Sequence, residues 1–343
     1  MTRRRPRFGL IEPVNSQQRE LTAEYILPYL EGIMVELAWL RRALDQTVAA
    51  EARGRSLVLS ELLKREATLA CDRWIGEELT QIMRLRWTDF ESRLSVYPIG
   101  ACKEISFVVF EMIRRNPQMF QRSALNRLQE FREAGGVFKR IWGSIRGVYF
   151  QNAMQVGSHY IDVANDTVDS TKPSTDQAPL EKSGFKNFET FGEYAAVRSS
   201  YTGDRVLRNN FIPALLPYRP LWMVNDVMRT IRIDAQSEPI LRMIELGEGR
   251  SFADLSGPEV GCLASETLIE KLGAPFGSSA ASGKLEFRLV VEGEFQKAVE
   301  RFERITMAER CRELERVTQI VRLVNFVWRN AGMYDRVAAE LTA

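Results

Sequence analysis

Histidine is almost absent from this 343-residue chain, which contains only His159. Metal centres built from several histidines are therefore excluded, and any reaction that needs an imidazole base depends on one residue. The four cysteines, Cys71, Cys102, Cys262 and Cys311, lie far apart without C-x-x-C spacing, which argues against a zinc knuckle and a disulfide framework. We therefore expect no metal and no cofactor, and each cysteine is considered by itself.

Long apolar runs and an excess of charge are also missing. No apolar stretch reaches the roughly 20 residues that span a bilayer, and the basic start, Thr2 to Arg7, is not followed by an apolar signal core. The 47 Lys and Arg nearly balance the 45 Asp and Glu, so no chain-wide field favours nucleic acid or an anionic membrane. These features predict a cytoplasmic globular protein without nucleic-acid or membrane partners, and they leave its oligomeric state open.

Helical periodicity dominates the first third of the chain. Apolar residues recur at three- and four-residue steps, which is typical of amphipathic helices. Pro28 is expected to distort the early turns of the first helix. The predicted helices cover residues 18–50, 56–85, 101–115 and 123–133.

The pattern changes near residue 147, where GVYFQNAMQVGSHYIDVANDTV predicts two strands joined by a tight turn. Residues 170–186 are expected to form a long surface loop or a domain boundary, with a functional lid as an alternative, and the proline-rich stretch 211–222 is expected to be extended or irregular. Further predictions are short helices near 240–246 and 264–272, a flexible linker at 277–283, a strand at 285–291 and a closing helix from Glu294 to about Ala331. The chain is therefore divided into a helical region (1–90), a core segment (91–170), an irregular and helical region (171–284) and a strand with a long C-terminal helix (285–343).

Cys102 is the cysteine whose position predicts reactivity. It follows a Pro-Ile-Gly-Ala turn and opens an apolar helix, where unpaired amides and the helix dipole stabilise a thiolate. The other three cysteines, Cys71, Cys262 and Cys311, are expected to be buried structural residues, which is a common role for free cysteine.

Two stretches resemble a known family. YPIGACKEISFVVFEMIRR resembles the nucleophile helix of transglutaminase-like, papain-related cysteine enzymes, and YFQNAMQVGSHYIDVAND resembles the pair of strands that follows it. The resemblance covers residues 90–170. It implies an α+β, predominantly helical fold with a small transglutaminase-like (papain-like) core and helical N- and C-terminal flanks. It also implies that Cys102 is the nucleophile, Asn152 the asparagine after the catalytic histidine, and Asp162 the acid that orients the base.

The sequence departs from the family at the base itself. Tyr149 occupies the position of the expected histidine, and tyrosine, with an ordinary pKa of about 10, is a poor proton acceptor at neutral pH. His159 is the remaining candidate base, provided that the turn directs it toward Cys102. In a regular strand, however, His159 and Asp162 are an odd number of residues apart and face opposite sides.

Three functions are compatible with these residues. The first is a cysteine-dependent acyl-transfer or amide-bond enzyme that forms a Cys102 thioester with a peptide, amide or acyl substrate. The second is a catalytically inactive transglutaminase-like scaffold that acts as a binding or regulatory protein. A weaker alternative is a glycosyl or phosphoryl transferase that uses Asp162 and Asp166 to hold Mg²⁺ or Mn²⁺.

Overall fold

The computed structural model of the chain describes residues 10–53, 72–234, 260–261, 264–276 and 285–341. The chain divides into two compact units, a first unit of Met1–Arg146 with Phe150–Asn187 and a second unit of Gly147–Tyr149 with Phe188–Ala343. Helix accounts for 55% and strand for 15%, which confirms a mixed, predominantly helical class with helices before and after an antiparallel sheet. The transglutaminase-like core and the four-region division stay predictions.

The first unit begins with helices. Asn15 caps the first one by accepting a hydrogen bond from the Gln18 amide, which satisfies a donor that the helix itself leaves free. Pro28 divides the predicted helix 18–50, because a 3-10 turn at Leu27–Tyr29 separates two α-helices there. The helices described in this unit are α1 (Ser16–Tyr25), α2 (Leu30–Glu51), α3 (Asp72–Arg84), α4 (Trp87–Glu91), α5 (Cys102–Arg115) and α6 (Asn126–Glu133). The part of the predicted helix 56–85 before Asp72 lies outside the described residues.

A five-stranded antiparallel sheet follows, in the order β4-β3-β2-β1-β5. Gly157, at a φ of 56°, provides the left-handed conformation in the turn between β2 and β3, so the predicted hairpin is confirmed. The prediction of a plain loop over 170–186 is wrong, because β4 and β5 form there as short edge strands. The strands are β1 (Phe138–Ile145), β2 (Tyr149–Val156), β3 (His159–Asp162), β4 (Asp176–Pro179) and β5 (Phe185–Lys186).

The two faces of this sheet pack differently, because side chains alternate along each strand. Met154 and Ile161, which are partners across β2 and β3, belong to the same hydrophobic cluster as the buried residues of α2, α3 and α5. We call this side the helix-covered face. Ala153 and Tyr160 belong to a separate small cluster on the far face, together with Ile141, Leu180 and Phe185.

The second unit contains a four-stranded sheet in the order β8-β7-β6-β9. Its strands are β6 (Asp204–Arg208), β7 (Leu221–Asn225), β8 (Thr230–Ile233) and β9 (Val260–Gly261), and β9 is the one that pairs in parallel. The helices described here are α7 (Phe191–Thr202), α8 (Glu266–Gly273), α9 (Glu292–Arg304), α10 (Met307–Asn330) and α11 (Met333–Leu341). The helix predicted near 264–272 is thus confirmed, whereas the segments 240–246 and 277–283 lie outside the described residues.

Two predictions for the C-terminal part are wrong. Residues 285–291 are extended but form no strand: Arg288 and Val290 each donate one backbone hydrogen bond, to Phe211 and Asn210, and no ladder results. The single closing helix is broken at Thr306, whose hydroxyl accepts from the Glu309 amide and starts α10 with a capping box. Among the described helices, none combines the length and the apolar character needed to cross a lipid bilayer.

Candidate functional site

Cys102 is the first residue of α5 and faces strand β2. Its sulfur accepts a hydrogen bond from Asn152 Nδ2 at 3.4 Å, and one turn later the Ser106 hydroxyl donates to the Asn152 carbonyl at 2.7 Å. The helix start and the strand that sequence reasoning connected are therefore adjacent. Cys102 is, however, only 7% exposed and belongs to the main hydrophobic cluster of the first unit.

Burial controls the acidity of the Cys102 thiol. Removal from water raises its pKa, the hydrogen bond from Asn152 opposes that shift, and the nearby charges of Glu104 and Asp162 raise it further. The helix start alone would lower the pKa of a thiol, so burial outweighs it. At neutral pH the side chain is therefore a neutral thiol, which is a weak nucleophile.

Asp162 is buried, but on the other side of the sheet. Its carboxylate accepts hydrogen bonds from the Ala164 amide at 2.7 Å, the Tyr160 hydroxyl at 3.1 Å and the Gln151 side chain. Tyr160 belongs to the far-face cluster, and Gln151 alternates with Asn152 along β2, so Asp162 and Asn152 are on opposite faces. Burial raises the pKa of Asp162 to about 7, and the charge of Asp176 adds to that shift.

His159 lies on the helix-covered face at the opposite end of the hairpin. Its partner on β2 is Val156, four residues from Asn152, which corresponds to about 13 Å along the strand. Burial lowers the pKa of His159, and its Nδ1 makes no hydrogen bond within the described part of the chain. His159 is therefore neutral at pH 7 and is not a hydrogen-bond partner of the Cys102 thiol.

Tyr149, which stands where the family places histidine, is the first residue of β2 and belongs to the second unit. Its ring makes an edge contact with Tyr201, with centroids 6.0 Å apart. Of the five candidate site residues, the structure thus pairs Cys102 with Asn152. Asp162, His159 and Tyr149 lie apart from that pair.

Sequence reasoning missed a buried ion-pair network centred on Arg41, a residue of α2 that is fully buried. Its guanidinium donates to both oxygens of Asp166, at 2.7 and 3.1 Å, to Asp45 at 2.9 Å and to the Val163 carbonyl at 3.3 Å. The Tyr97 hydroxyl donates to Asp45 at 2.5 Å. Burial raises the pKa of Asp45 and of Tyr97, so Tyr97 stays protonated as a donor. The sequence did contain a signal for this network, because the charged Arg41 lies within the apolar stripe of Leu37, Leu40 and Leu44.

This network also bears on the metal alternative. Asp166 is neutralised by Arg41, and Asp162 is engaged by Gln151 and Tyr160. Within the described ranges, no group of three His, Cys, Asp or Glu side chains has an arrangement that could hold a metal ion. Neither the Asp162 nor the Asp166 carboxylate therefore belongs to a described group of side chains that could bind a metal ion.

The other cysteines do not share one environment. Cys311, on α10, is exposed, so the expectation that it is buried is wrong. It lies on a helix whose apolar positions follow one face, and Cys311 is off that face. Cys71 and Cys262 lie outside the described residues.

An open groove of about 600 Å³ in the first unit runs beside α2. Its apolar wall is formed by Leu30, Met34 and Ala38 together with Val35, which is 62% exposed. The opposite wall is the start of edge strand β4, and Glu31 and Asp176 provide acidic groups at the rim. Exposed apolar groups with a charged rim are typical of interaction surfaces.

Comparison of the chain with protein-family models, curated proteins and solved structures found no match. The resemblance of residues 90–170 to cysteine enzymes stays a prediction.

Proposed function

We propose that this chain is a non-catalytic binding protein whose first unit takes a short peptide segment in the groove beside α2. The segment would present apolar side chains to that groove and basic side chains to its rim. In this proposal the Cys102–Asn152 pair has a structural role and forms no thioester.

The proposal that Cys102 is not catalytic rests on its burial and on its hydrogen bond from the side-chain amide of Asn152. A cysteine nucleophile requires a thiolate and a neighbour that takes up its proton. Here burial raises the pKa of the thiol, and its hydrogen-bond partner is Asn152, which has no proton-accepting nitrogen. The single histidine is held about 13 Å along the strand from that contact.

The groove favours docking of side chains over the addition of a whole strand. β4 has four residues and ends at Pro179, which has no amide hydrogen to donate to a further strand. The apolar surface of Leu30, Met34 and Val35 therefore supplies the attraction, and burial of such surface gains roughly 25 cal/mol per Å². Glu31 and Asp176 select lysine or arginine beside the docked apolar residues.

The structural role of Cys102 is tested by alkylation with iodoacetamide, for which Cys311 is the internal reference because it is exposed. A form of the chain that keeps only Cys102 and a form that keeps only Cys311 are compared in native buffer and in urea. We expect Cys311 to react at the rate of a model peptide and Cys102 to react at least tenfold more slowly until the chain unfolds. A native Cys102 that reacts faster than the peptide would restore the acyl-transfer hypothesis.

Peptide binding is tested by fluorescence anisotropy with a labelled amphipathic peptide of Leu and Lys. The matched peptide of Leu and Glu is the control for charge. We expect Val35→Lys to weaken binding of the Leu/Lys peptide about tenfold, since a like charge replaces the most exposed apolar side chain of the groove.

Val96→Lys is the control variant, because Val96 is also exposed in the first unit, at 54%, and does not line the groove. It should bind the Leu/Lys peptide as the natural chain does. Equal binding by all three proteins, or equal binding of the two peptides, would contradict the proposed groove.

A further inference from the structure

A second, smaller cleft of about 160 Å³ lies entirely within the second unit. It is bounded by strand β8, the last turn of α10 and the first turn of α11. Three arginines, Arg229, Arg232 and Arg329, line it together with a single acidic residue, Asp335. Among the residues that line the cleft, arginines therefore outnumber acidic residues by two, although Arg232 also pairs with Asp204 outside the lining.

The three arginines differ in how far they are already engaged. Arg232 donates to the Thr230 hydroxyl at 3.2 Å and to the buried carboxylate of Asp204. Arg229 forms an ion pair with Asp335 at the surface. The side chain of Arg329 makes no hydrogen bond or ion pair with any residue that the structure describes, although Arg329 lies in the cleft wall.

The backbone at this place favours an anion as well. Gly332, at a φ of 60°, lies between α10 and α11, and α11 begins at Met333 within the cleft wall. The first amides of an α-helix have no partner inside the helix, and its N-terminal end carries a partial positive charge. The carboxylate of Asp335, in the first turn of α11, offsets part of this positive potential, and it also forms the exposed ion pair with Arg229.

We propose that this cleft binds the phosphate group of a phosphate monoester. The three guanidiniums offer several N–H donors around one volume, and guanidinium matches the oxygen geometry of phosphate. Arg329 contributes a free set of donors, and the incoming phosphate replaces Asp335 as the partner of Arg229.

The size and lining of the cleft limit what is attached to the phosphate. A volume of about 160 Å³ is smaller than the roughly 300–1,000 Å³ that encloses a drug-sized ligand. Ile231, Trp328 and Met333 form an apolar floor, and each is nearly or fully buried. The site therefore suits a phosphate with a short carbon substituent and is too small to enclose a nucleotide.

The proposal is tested on the full chain by isothermal titration calorimetry at low ionic strength, with inorganic phosphate and phenyl phosphate as ligands. We expect both to bind and phenyl phosphate to bind more tightly, because its ring contacts the apolar floor. Arg329→Gln should weaken phenyl phosphate binding about tenfold or more, since it removes charge-assisted donors. Arg329 has no described partner to lose, so this variant is expected to fold, and far-UV circular dichroism checks that it does.

Arg322→Gln is the matched control. Arg322 is exposed two turns earlier on α10 and does not line the cleft, so its removal changes the net charge of the chain equally. It should alter phenyl phosphate binding less than twofold. Equal weakening by Arg322→Gln and Arg329→Gln would overturn the site, because it would show that only overall charge matters.

Asp335→Asn supplies a test of opposite sign. It removes the carboxylate that competes for Arg229, so phenyl phosphate should bind several-fold more tightly. Weaker or unchanged binding would contradict the exchange of partners at Arg229.

The source of the phosphate is distinguished by a second arm, co-sedimentation with phosphatidylcholine vesicles that contain phosphatidic acid. Binding of phenyl phosphate in solution assigns the cleft to a free phosphate monoester. Binding to the vesicles alone, lost in Arg329→Gln, assigns it to a lipid headgroup. Failure in both arms overturns the phosphate site. The groove beside α2 is not involved in any of these measurements, so the two proposals are tested independently.

Discussion

The two units treat arginine in contrasting ways. In the first unit, the guanidinium of Arg41 is fully buried and all its described contacts are to groups of the chain itself, namely Asp45, Asp166 and the Val163 carbonyl. In the second unit, Arg329 is exposed in a cleft, and its side chain has no hydrogen-bond or ion-pair partner among the described residues. A charge whose hydrogen bonds are satisfied internally holds the structure together, whereas one left open to solvent remains available to a ligand.

The same contrast applies to the residues that the sequence suggests as catalytic. Cys102, Asp162 and His159 have the residue types of a catalytic site, yet each is buried and each is separated from the others by the pleat or the length of one hairpin. Residue types thus identify chemistry that is possible in principle. Burial and partners decide whether it is available.

The largest expected effect is on stability, from Arg41→Met. Removal of the guanidinium leaves Asp45 and Asp166 without their cation, and breaking a buried ion pair from one side costs about 3–5 kcal/mol. Urea unfolding, with hydrogen-exchange mass spectrometry to assign the transition to the first unit, measures this loss. Arg42→Met, at an exposed neighbour, should cost less than about 1 kcal/mol, and a similar cost for both would break the distinction between buried and exposed arginine.

The second effect is a pH dependence centred on Asp162. Its pKa is raised to about 7 in the folded chain, so the folded state binds the proton more tightly than the unfolded state does. Stability should therefore fall as the pH rises from about 4 to about 7 and level off above that. Between pH 5 and 8 the contribution of this carboxyl amounts to about 2–3 kcal/mol.

Asp162→Asn isolates that contribution, since an amide resembles the protonated acid. Gln151 Oε1 has no hydrogen-bond partner within the described residues and can accept from the new amide. In urea unfolding the variant should be more stable than the natural chain, and its advantage should grow by about 2–3 kcal/mol between pH 5 and pH 8. An unchanged pH slope in Asp162→Asn would assign the dependence to other groups, of which His159 is the nearest candidate on β3.

Sequence reasoning predicted the local elements better than their partners. The periodicity around Leu37 was sufficient for the helical character of α2, and the Val-, Tyr-, Phe- and Ile-rich stretch with its Val-Gly-Ser break was sufficient for the β2–β3 hairpin, because both patterns are local in sequence. β1 was missed, although Phe138–Ile145 includes the bulky residues Ile141 and Trp142, since Gly143 and two basic residues obscure its alternation.

Whether the candidate site residues meet, and how deeply they are buried, depends on packing between elements that are far apart in sequence. The start of α5 correctly suggested a thiol at a helix N-terminus, but the depth of Cys102 depends on helices and strands far away in sequence. In the same way, Arg41 and Asp166 are 125 residues apart, so no local pattern could pair them. The strand alternation of His159 and Asp162 was readable in advance, and it already argued against a shared face.

A smaller effect distinguishes a structural cysteine from a surface one. Cys102→Ala should destabilise the first unit by roughly 1 kcal/mol, because it removes a buried sulfur and leaves the Asn152 amide without its acceptor. Cys311→Ala should be neutral in the same urea measurement, since that residue is exposed. Peptide binding should be the same for both variants. Loss of binding in Cys102→Ala while the fold is retained would show that Cys102 does more than pack.

The smallest expected effect on stability completes the comparison of the two arginines. Arg329→Gln should change the free energy of unfolding by no more than about 0.5 kcal/mol, because the side chain is exposed and has no described partner. It should nevertheless be the variant with the greatest loss of phenyl phosphate affinity. The reverse result, a stability loss comparable with that of Arg41→Met, would mean that Arg329 is held within the fold and would remove the reason to assign it to a ligand. Stability and affinity measured on the same preparation therefore decide between the structural and the ligand-binding use of an arginine.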